Sequence, residues 1–333
     1  MISFERLDIN DVDWDKVNDS KGANIFQTLP WINYLKATQK VEPVIAAVKS
    51  DGHTQGYFTG FITKKFGMRI LGSPFRGWTT YFMGFNLLPG TPCHDVLETF
   101  PKFAFDDLKC HYLEIIDPNI SCDGSEGLSY RVERLPWFAL NLTGGEEDIY
   151  ANMKSDCRRK VRKAIKDGVV IEEASDIAFA DEYFAQFQDV MAKRSLISTY
   201  RIDTVRKLIE YLAPTGNILL LRARNSDGLC IATDIFLALN KTGIGWGAAS
   251  WRQYQYLHPN ELLYWHGMKY LQAKGVQKLH LGGESESFKR KFGSQEDQIY
   301  RLKKAKNPLL ERFLEIITSP KNSNFRNWVL RKL

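Results

Sequence analysis

The chain has 333 residues, of which 44% are hydrophobic and 25% charged, and it contains only 12 Pro and 24 Gly. This composition excludes a disordered, collagen-like or low-complexity protein, and the length predicts about two domains, each with a core of its own. The net charge is +6, and residues 301–333 carry nine Lys or Arg against two acids, a balance of +7.

The predicted elements of the first half mix helices and strands. In chain order we predict a helix at 26–40, strands at 44–48, 57–63 and 68–71, a helix at 96–108 and a strand at 111–116. A polar, turn-rich segment at 117–127 then breaks the pattern. We therefore place a domain boundary near residue 130.

A second series follows this boundary. We predict a strand at 135–142, a helix at 146–167, a strand at 169–173, helices at 177–195 and 202–213, strands at 218–224, 230–239 and 243–250, a helix at 260–274 and a strand at 276–281. Three consecutive strands, a helix and a further strand indicate an α/β fold with mixed sheets. The halves share this order, which suggests a structural duplication into domains 1–130 and 131–306 with a tail at 307–333.

No sign of export or metal binding is visible. The first eight residues lack the cationic and apolar regions of a signal peptide, and no uncharged apolar run approaches the roughly 18 residues of a membrane span. The cysteines form no CxxC pair, which favours reduced thiols and no metal site; they are Cys93, Cys110, Cys122, Cys157 and Cys230. We expect a cytoplasmic protein.

Residues 153–166 predict a strongly basic helix. At a spacing of four, an apolar stripe (Met153, Cys157, Val161, Ile165) lies beside a cationic stripe (Lys154, Arg158, Arg162, Lys166). Like charges at this spacing repel one another, and an anionic partner would relieve the repulsion. The alternative is a solvated face neutralised by acids from elsewhere in the fold.

A second candidate site begins at Gly282 and Gly283. A strand that ends in two glycines lets the backbone approach a ligand closely, and a lysine just beyond, Lys289, is able to neutralise developing negative charge. The alternative is an ordinary turn.

Several stretches together resemble the FemAB-like acyltransferases. The segment 259–275, the strand end at 281–283 and the segment 288–293 resemble the C-terminal signature of that family, and the basic helix followed by 167–169 resembles its basic helix. The segment 26–31 with Tyr34 resembles its N-terminal opening. This resemblance implies two GNAT-like acyltransferase domains in tandem. Family members transfer an amino acid from aminoacyl-tRNA to the stem peptide of a peptidoglycan precursor, and relatives are assigned to acetyl transfer in polysaccharide biosynthesis.

The resemblance also implies site residues. Phe288 and Lys289 match a Phe-Lys pair in which the lysine lies beside the reacting acyl group. Substrate contacts are implied or expected at Trp31, Tyr34, Arg158, Arg162, Arg194, Tyr200, His258, Gly282 and Gly283, with a core role as the alternative for Trp31. Asp234, Glu284 and His258 are candidates for a general base, and each also has a structural explanation: a strand-edge acid, a loop acid and a helix-capping histidine.

The acyl donor stays open at this point. Enzymes that use acetyl-CoA hold its pyrophosphate in a glycine-rich loop at a helix N-terminus, whereas residues 251–260 contain no glycine. Residues 177–213 leave no room for the helical arm of family members that use aminoacyl-tRNA. Both an acyl-CoA and an aminoacyl-tRNA therefore remain candidates, and no cofactor is expected to be bound permanently.

The tail at 307–333 combines apolar and basic residues, including Leu310, Phe313, Trp328 and Arg331. Such a segment either lies in an anionic membrane interface or docks on its own domain. We expect an acyltransferase acting on an amine of a cell-envelope precursor, with possible peripheral attachment to the inner face of the membrane. The alternatives are a CoA-dependent N-acetyltransferase of a small soluble amine and a non-catalytic protein that binds RNA or anionic lipid.

Overall fold

The computed structural model describes residues 1–20, 22–65, 67–75, 78–120, 127–193, 200–283 and 286–311. In chain order its strands are β1 (Ile2–Leu7), β2 (Glu42–Ser50), β3 (His53–Lys65), β4 (Met68–Ser73), β5 (Gly84–Leu87), β6 (Tyr112–Asp117), β7 (Arg131–Asn141), β8 (Val170–Ala174), β9 (Ile218–Arg224), β10 (Cys230–Leu239), β11 (Thr242–Ser250), β12 (Lys278–Gly282) and β13 (Gln295–Ala305). Its α-helices are α1 (Trp14–Asp19), α2 (Leu29–Thr38), α3 (Cys93–Lys102), α4 (Glu146–Asn152), α5 (Ser155–Lys166), α6 (Phe179–Lys193), α7 (Ile202–Leu212), α8 (Pro259–Ala273) and α9 (Glu286–Arg290). None of the helices in these ranges is long and apolar enough to cross a membrane.

The chain divides into two compact units. Among the described residues, the first unit holds 1–12, 41–134 and 299–311, and the second holds 13–40 and 135–298. The predicted domains 1–130 and 131–306 differ from this division at two places. The segment 13–40 lies in the second unit because α2 packs against α7, and residues from 299 lie in the first because β13 pairs with β6. The predicted tail lies outside the described residues from residue 312 onward.

The first unit is built on a mixed sheet with the strand order β1-β2-β3-β4-β6 and the later part of β13 beyond β6. Its neighbouring strands are antiparallel except for the parallel pair β4 and β6. Phe58, Phe85 and Phe100 form the centre of its core, with ring centroids 4.5–5.1 Å apart. Large aromatic rings at this separation gain both buried area and favourable edge contacts.

The short strand β5 closes the sheet of the first unit where β4 ends. It pairs with β3, and the amide of Met83 just before it donates to the carbonyl of Ile116 in β6 at 2.9 Å. The amide of Gly84 donates to the Ser73 hydroxyl at 2.8 Å, and that of Phe85 donates to the Asp117 carboxyl at 2.7 Å. Residues 83–85 therefore hydrogen-bond to the ends of β4 and β6 and cover them.

The buried carboxyl of Asp117 makes the stability of this unit depend on pH. Burial raises the pKa of Asp117 to about 7, so the folded state binds the proton more tightly than the unfolded chain does. The resulting stabilisation is complete below pH 4 and is lost as the pH rises towards 7. We expect the free energy of unfolding of the wild type, compared with Asp117→Asn, to fall by about 3 kcal/mol between pH 5 and pH 8. Urea denaturation at four pH values measures this difference, and parallel pH profiles for the two proteins would contradict it.

The second unit has the strand order β7-β12-β11-β10-β9-β8, with β11 and β12 parallel and the other neighbours antiparallel. Helices α5 and α8 pack against each other, and the buried residues of both join one core with side chains of β9, β10 and β12. Helix α6 contacts β10 and β11, and α7 packs against α6 and α2. The predicted α/β class with mixed sheets is confirmed.

The predicted helix 146–167 is two helices. Met153 has the extended backbone angles φ −69° and ψ 144°, and the Lys154 amide donates to the carbonyl of Lys291 at 2.9 Å instead of to a helical partner. The predicted apolar stripe is wrong at its last member, because Ile165 is 58% exposed and Ala164 is buried instead. A helix has 3.6 residues per turn, so positions four apart move gradually around its axis and away from the core. The next buried position is therefore three residues after Val161, at Ala164.

Candidate active site

The parallel strands β11 and β12 separate part-way along their length. They pair only over Thr242–Ile244 and Lys278–His280, and β11 then continues to Ser250 while β12 continues to Gly282. A register shift between β10 and β11 leaves Trp246 as an extra residue in β11. Such a bulge bends the strand and redirects its side chains. The pairing thus ends at Ile244 and His280, and we call the region of β11 and β12 beyond these two residues the opening.

Lys289 lies at the β12 side of this opening. Helix α9 carries it, its residue is 7% exposed, and its Nζ atom donates to the carbonyl of Gly282 at 2.8 Å. The same ammonium lies 5.8 Å from the centroid of the Phe138 ring. A buried positive charge fixed at a strand end is a means of stabilising an oxyanion that develops during a reaction.

Gly282 and Gly283 allow this approach of the backbone. Gly282 has a φ of +76°, a left-handed conformation that glycine adopts without steric cost. A Cβ atom on Gly283 would collide with the carbonyl oxygen of Pro136 in β7. The two glycines are thus required by the turn and by a close backbone contact, and through the Gly282 carbonyl they position Lys289.

Tyr264 reaches the opening from α8. A Cβ atom on Gly245 would lie 2.7 Å from its hydroxyl and 3.7 Å from Leu281, so the hydroxyl lies where β11 and β12 separate. Sequence analysis did not identify Tyr264. The signal that points to it is the alternation Gly243, Gly245, Gly247 in β11, because glycines inside a strand mark close approach by another group.

Phe288 supports this arrangement. Its ring centroid lies 5.6 Å from that of Tyr264 and 5.2 Å from that of Phe292, and the Lys291 ammonium lies 4.0 Å from its centroid. These are packing and cation–π contacts, and a phenyl ring transfers no proton. Phe288 thus packs against Tyr264 and beside α9, and its predicted place in the catalytic site stays a prediction.

An aromatic cluster lies on the other face of β11. The hydroxyls of Tyr183 and Tyr200 are 2.8 Å apart, and a Cβ atom on Gly247 would collide with Tyr183. The ring of Tyr200 stacks on Phe187 at 4.7 Å and lies 5.9 Å from Trp246. The structure thus brings the predicted substrate contact Tyr200 to β11, half-buried, beside the bulge.

His280 is a buried histidine next to the end of β12 that sequence analysis did not single out. It is 4% exposed, its Nδ1 atom accepts a hydrogen bond from Trp137 at 3.0 Å, and burial lowers its pKa to about 4. The ring is neutral at pH 7 with its proton on Nε2. Because Nδ1 is occupied and Nε2 is protonated, His280 is unsuited to act as a general base.

Asp234 is a buried acid in the middle of the sheet. It is 2% exposed in β10, between β9 and β11, so the alternative of a strand-edge acid is wrong. Burial raises its pKa well above the usual value, and its carboxyl accepts a hydrogen bond from the Ile235 amide at 2.9 Å. It lies on the sheet face of Phe236, whose ring centroid is 5.4 Å from that of Tyr264. Its carboxyl favours the protonated form.

The start of α8 carries charge of both signs. His258 is the N-cap residue of α8, as the structural alternative predicted, but it has a left-handed conformation and its side chain makes no capping hydrogen bond. Desolvation lowers its pKa, with a smaller effect in the same direction from Lys160, Lys163 and Lys291. Glu261, in the first turn, forms a 2.7 Å ion pair with Lys291.

Comparisons with known proteins identify the fold that carries these residues. Residues 151–290 match the family model described as acetyltransferase (GNAT) domain. The crystal structure of FemX superimposes with a TM-score of 0.76 at 13% identity, covering 93% of this chain and 100% of FemX. The chain has the FemX fold. The resemblance to the FemAB-like GNAT proteins is thereby confirmed at the level of the fold.

Two further solved structures resemble the chain in fold, and the first of them supports the predicted fold of two GNAT-like domains in tandem. A tandem GNAT protein from the clavulanic acid biosynthesis pathway has a TM-score of 0.57 at 11% identity, covering 92% of this chain and 99% of its own. L-PGS from Bacillus licheniformis has a TM-score of 0.53 at 10% identity, covering 86% and 94%. No curated protein matches the sequence. In this GNAT fold the opening between β11 and β12 lies inside the matched region 151–290.

Other predicted site residues lie away from the opening or outside the described part. Trp31 and Tyr34 are both 0% exposed in the second unit, with ring centroids 4.9 Å apart, which favours the alternative of a core role for Trp31; the role of both as substrate contacts stays a prediction. Arg158 donates to the carbonyl of Ala151 at 2.6 Å and thereby satisfies the end of α4. Arg194 and Glu284 lie outside the described residues.

The basic face of α5 is only partly neutralised. Asp156 pairs with Arg159 and Lys160, and Asp167 pairs with Lys163. In the part of the chain that the structure describes, no acid forms an ion pair with Lys154, Arg158, Arg162 or Lys166. The exposed Arg162 instead lies 3.5 Å from the Tyr150 hydroxyl. The pairing acids belong to α5 itself and to its C-cap residue, and an anionic partner for the remaining cations stays a prediction.

Proposed function

We propose that this GNAT-fold protein is an acyltransferase that passes an aminoacyl or acetyl group to an amine of a cell-envelope precursor. The observation that carries the proposal is the buried Lys289 ammonium, held by Gly282 at the point where β11 and β12 separate. The FemX fold over 93% of the chain supports an envelope precursor as the acceptor. A stem peptide of peptidoglycan is the acceptor that this relationship favours.

The proposed reaction needs few groups. A neutral amine attacks the carbonyl carbon of an ester or thioester, the new C–N bond forms, and the carbonyl oxygen becomes an oxyanion. Lys289 stabilises this oxyanion by its charge. The C–O or C–S bond then breaks, the leaving group takes a proton, and the amine nitrogen loses one. We propose that Tyr264 donates the proton that the leaving group takes. Positioning of the amine and the acyl carbon accounts for much of the remaining rate enhancement.

This proposal assigns no side chain as the general base that removes the proton from the attacking amine nitrogen. Of the three predicted candidates, Asp234 favours its protonated form, and Glu284 lies outside the described residues. The lowered pKa of His258 keeps its ring neutral, but it lies at the start of α8 and not at Gly282. Solvent is sufficient to take the proton, because the ammonium formed in the tetrahedral intermediate is acidic.

The experiment that tests the proposal offers the full chain two donors and two acceptors. Acetyl-CoA and a mixture of aminoacyl-tRNAs are each combined with a UDP-linked muropeptide precursor or with a small diamine, and products are identified by mass spectrometry. We expect an acylated muropeptide amine with one donor. Product on the small amine with acetyl-CoA alone would establish the N-acetyltransferase alternative. No product in any combination would contradict the proposal and favour anionic-ligand binding by α5.

A further inference from the structure

A cavity of about 240 Å³ lies beside the last turns of α8 in the second unit. Its walls come from the start of β9, the end of β10, the end of α8 and Val276. Leu239 at the end of β10 is one of the lining residues, and it pairs with Thr242, the first residue of β11. The opening instead lies beyond Ile244 of β11. The residues that line the cavity are therefore a different set from those placed at the opening.

A small side chain leaves this space between β10 and α8. Phe236 of β10 fills the gap to the helix, since a Cβ atom on Gly267 of α8 would lie 2.5 Å from its ring. Ala238 follows on the same face of β10, and its methyl group occupies much less volume than a phenyl ring. The walls are mostly apolar and include Leu219 and Leu271, which belong to the core of the unit. An apolar space of this kind favours the hydrocarbon part of a ligand over water.

The rim of the cavity is polar and positively charged. Lys274 is the one charged residue among the described residues that line it, and Asn217 and Asn240 add amide groups. The Lys274 ammonium lies 5.7 Å from the centroid of the Tyr270 ring, and within the described ranges no acid forms an ion pair with it. The last carbonyls of α8 already accept hydrogen bonds from the amides of 274–276. A single negative charge on a ligand therefore has a cation available at this rim.

We propose that this cavity binds a small monocarboxylate whose unbranched aliphatic chain has about six to eight carbon atoms. An apolar cavity of about 150 Å³ holds a benzene molecule, so the larger volume found here accommodates a chain of this length. The chain lies against Leu219, Phe236 and Leu271, and the carboxylate lies at the rim beside the Lys274 ammonium. Its one negative charge matches the single cation of the rim. This binding site is independent of the proposed acyl transfer.

Calorimetric titration of the full chain with butanoate, hexanoate and octanoate tests this inference. We expect one molecule to bind per chain, with a dissociation constant that falls about fourfold for each added methylene group, because each group leaves water for the apolar walls. 1-Octanol has the same chain without the charge, and we expect it to bind about fivefold more weakly than octanoate. Failure of octanoate to bind, or affinity that does not depend on chain length, would overturn the inference.

Two variants locate the binding in this cavity. Ala238→Leu fills the space, and we expect octanoate to bind it at least about tenfold more weakly, with thermal unfolding as the check that it is folded. Lys274→Gln changes an exposed side chain and leaves the core intact; we expect about fivefold weaker binding of octanoate and unchanged binding of 1-octanol.

The matched control is Lys207→Gln, since Lys207 is an exposed lysine of α7 that pairs with Glu210. We expect it to bind octanoate and 1-octanol as the wild type does. Unchanged octanoate affinity in Lys274→Gln or in folded Ala238→Leu, or an equal loss in Lys207→Gln, would overturn the inference. Because binding is measured without turnover, each of these outcomes is distinct from a failure of the proposed acyl transfer.

Discussion

Replacing Lys289 by alanine is expected to lower kcat for acyl transfer by about 100-fold to 1,000-fold, with a smaller change in KM. The ammonium is buried, its geometry is fixed by the Gly282 carbonyl, and the charge it stabilises exists only in the transition state. Steady-state kinetics with the donor and acceptor that give product in the assay proposed above measure the effect. Far-UV circular dichroism and thermal unfolding establish that the variant is folded.

Two matched variants separate this effect from a general loss of positive charge. Lys207→Ala removes an exposed lysine of α7 that pairs with Glu210, and we expect full activity. Lys289→Arg keeps the positive charge but changes the length and shape of the side chain, and we expect partial activity. A Lys289→Ala enzyme that retains kcat within a factor of about three would exclude Lys289 as the electrostatic group.

Gly283→Ala is expected to lower turnover by about 100-fold, because displacement of a catalytic group by about 1 Å has an effect of this size. The added Cβ atom would collide with the carbonyl oxygen of Pro136, and neither backbone is able to yield without moving its strand. The Gly282 carbonyl and the Lys289 ammonium would move with it. The measurement is kcat at saturating donor, with KM recorded separately.

The control for this prediction is Gly145→Ala. Gly145 has an ordinary φ of −67°, and the nearest atom to its added Cβ would be a carboxyl oxygen of Asp148 at 3.8 Å, a normal contact. We expect wild-type turnover in this variant. If Gly283→Ala and Gly145→Ala behave alike, the close contact of Gly283 with β7 does not position the site.

Local signals in the sequence predicted the central elements of the second unit well. The strands predicted at 218–224 and 230–239 coincide with β9 and β10, and the helix predicted at 260–274 differs from α8 by one residue at each end. Apolar periodicity, the His-Pro pair before α8 and Gly275 after it are all properties of neighbouring residues. Such elements need no distant partner to be identified.

The elements that were missed depend on distant partners. Strand β13 is rich in charged residues, and its pairing with β6 joins residues far apart in the chain. Strand β5 has four residues and is stabilised by β3 and by the buried Asp117. A strand of this kind becomes recognisable only when its hydrogen-bonding partners are known.

The sequence by itself determined the α/β class, the FemAB-like resemblance and the pair Gly282 and Lys289, because each is written in a short run of residues. Tertiary structure decided that Trp31 packs in the core, that Tyr264 reaches Gly245, and that Glu261 pairs with Lys291. Each of these contacts joins side chains that are far apart in the sequence. They meet because β11 and β12 separate and because α8 and α9 pack beside them. Burial and charge pairing depend on contacts between residues that are distant in the sequence, and local periodicity does not predict such contacts.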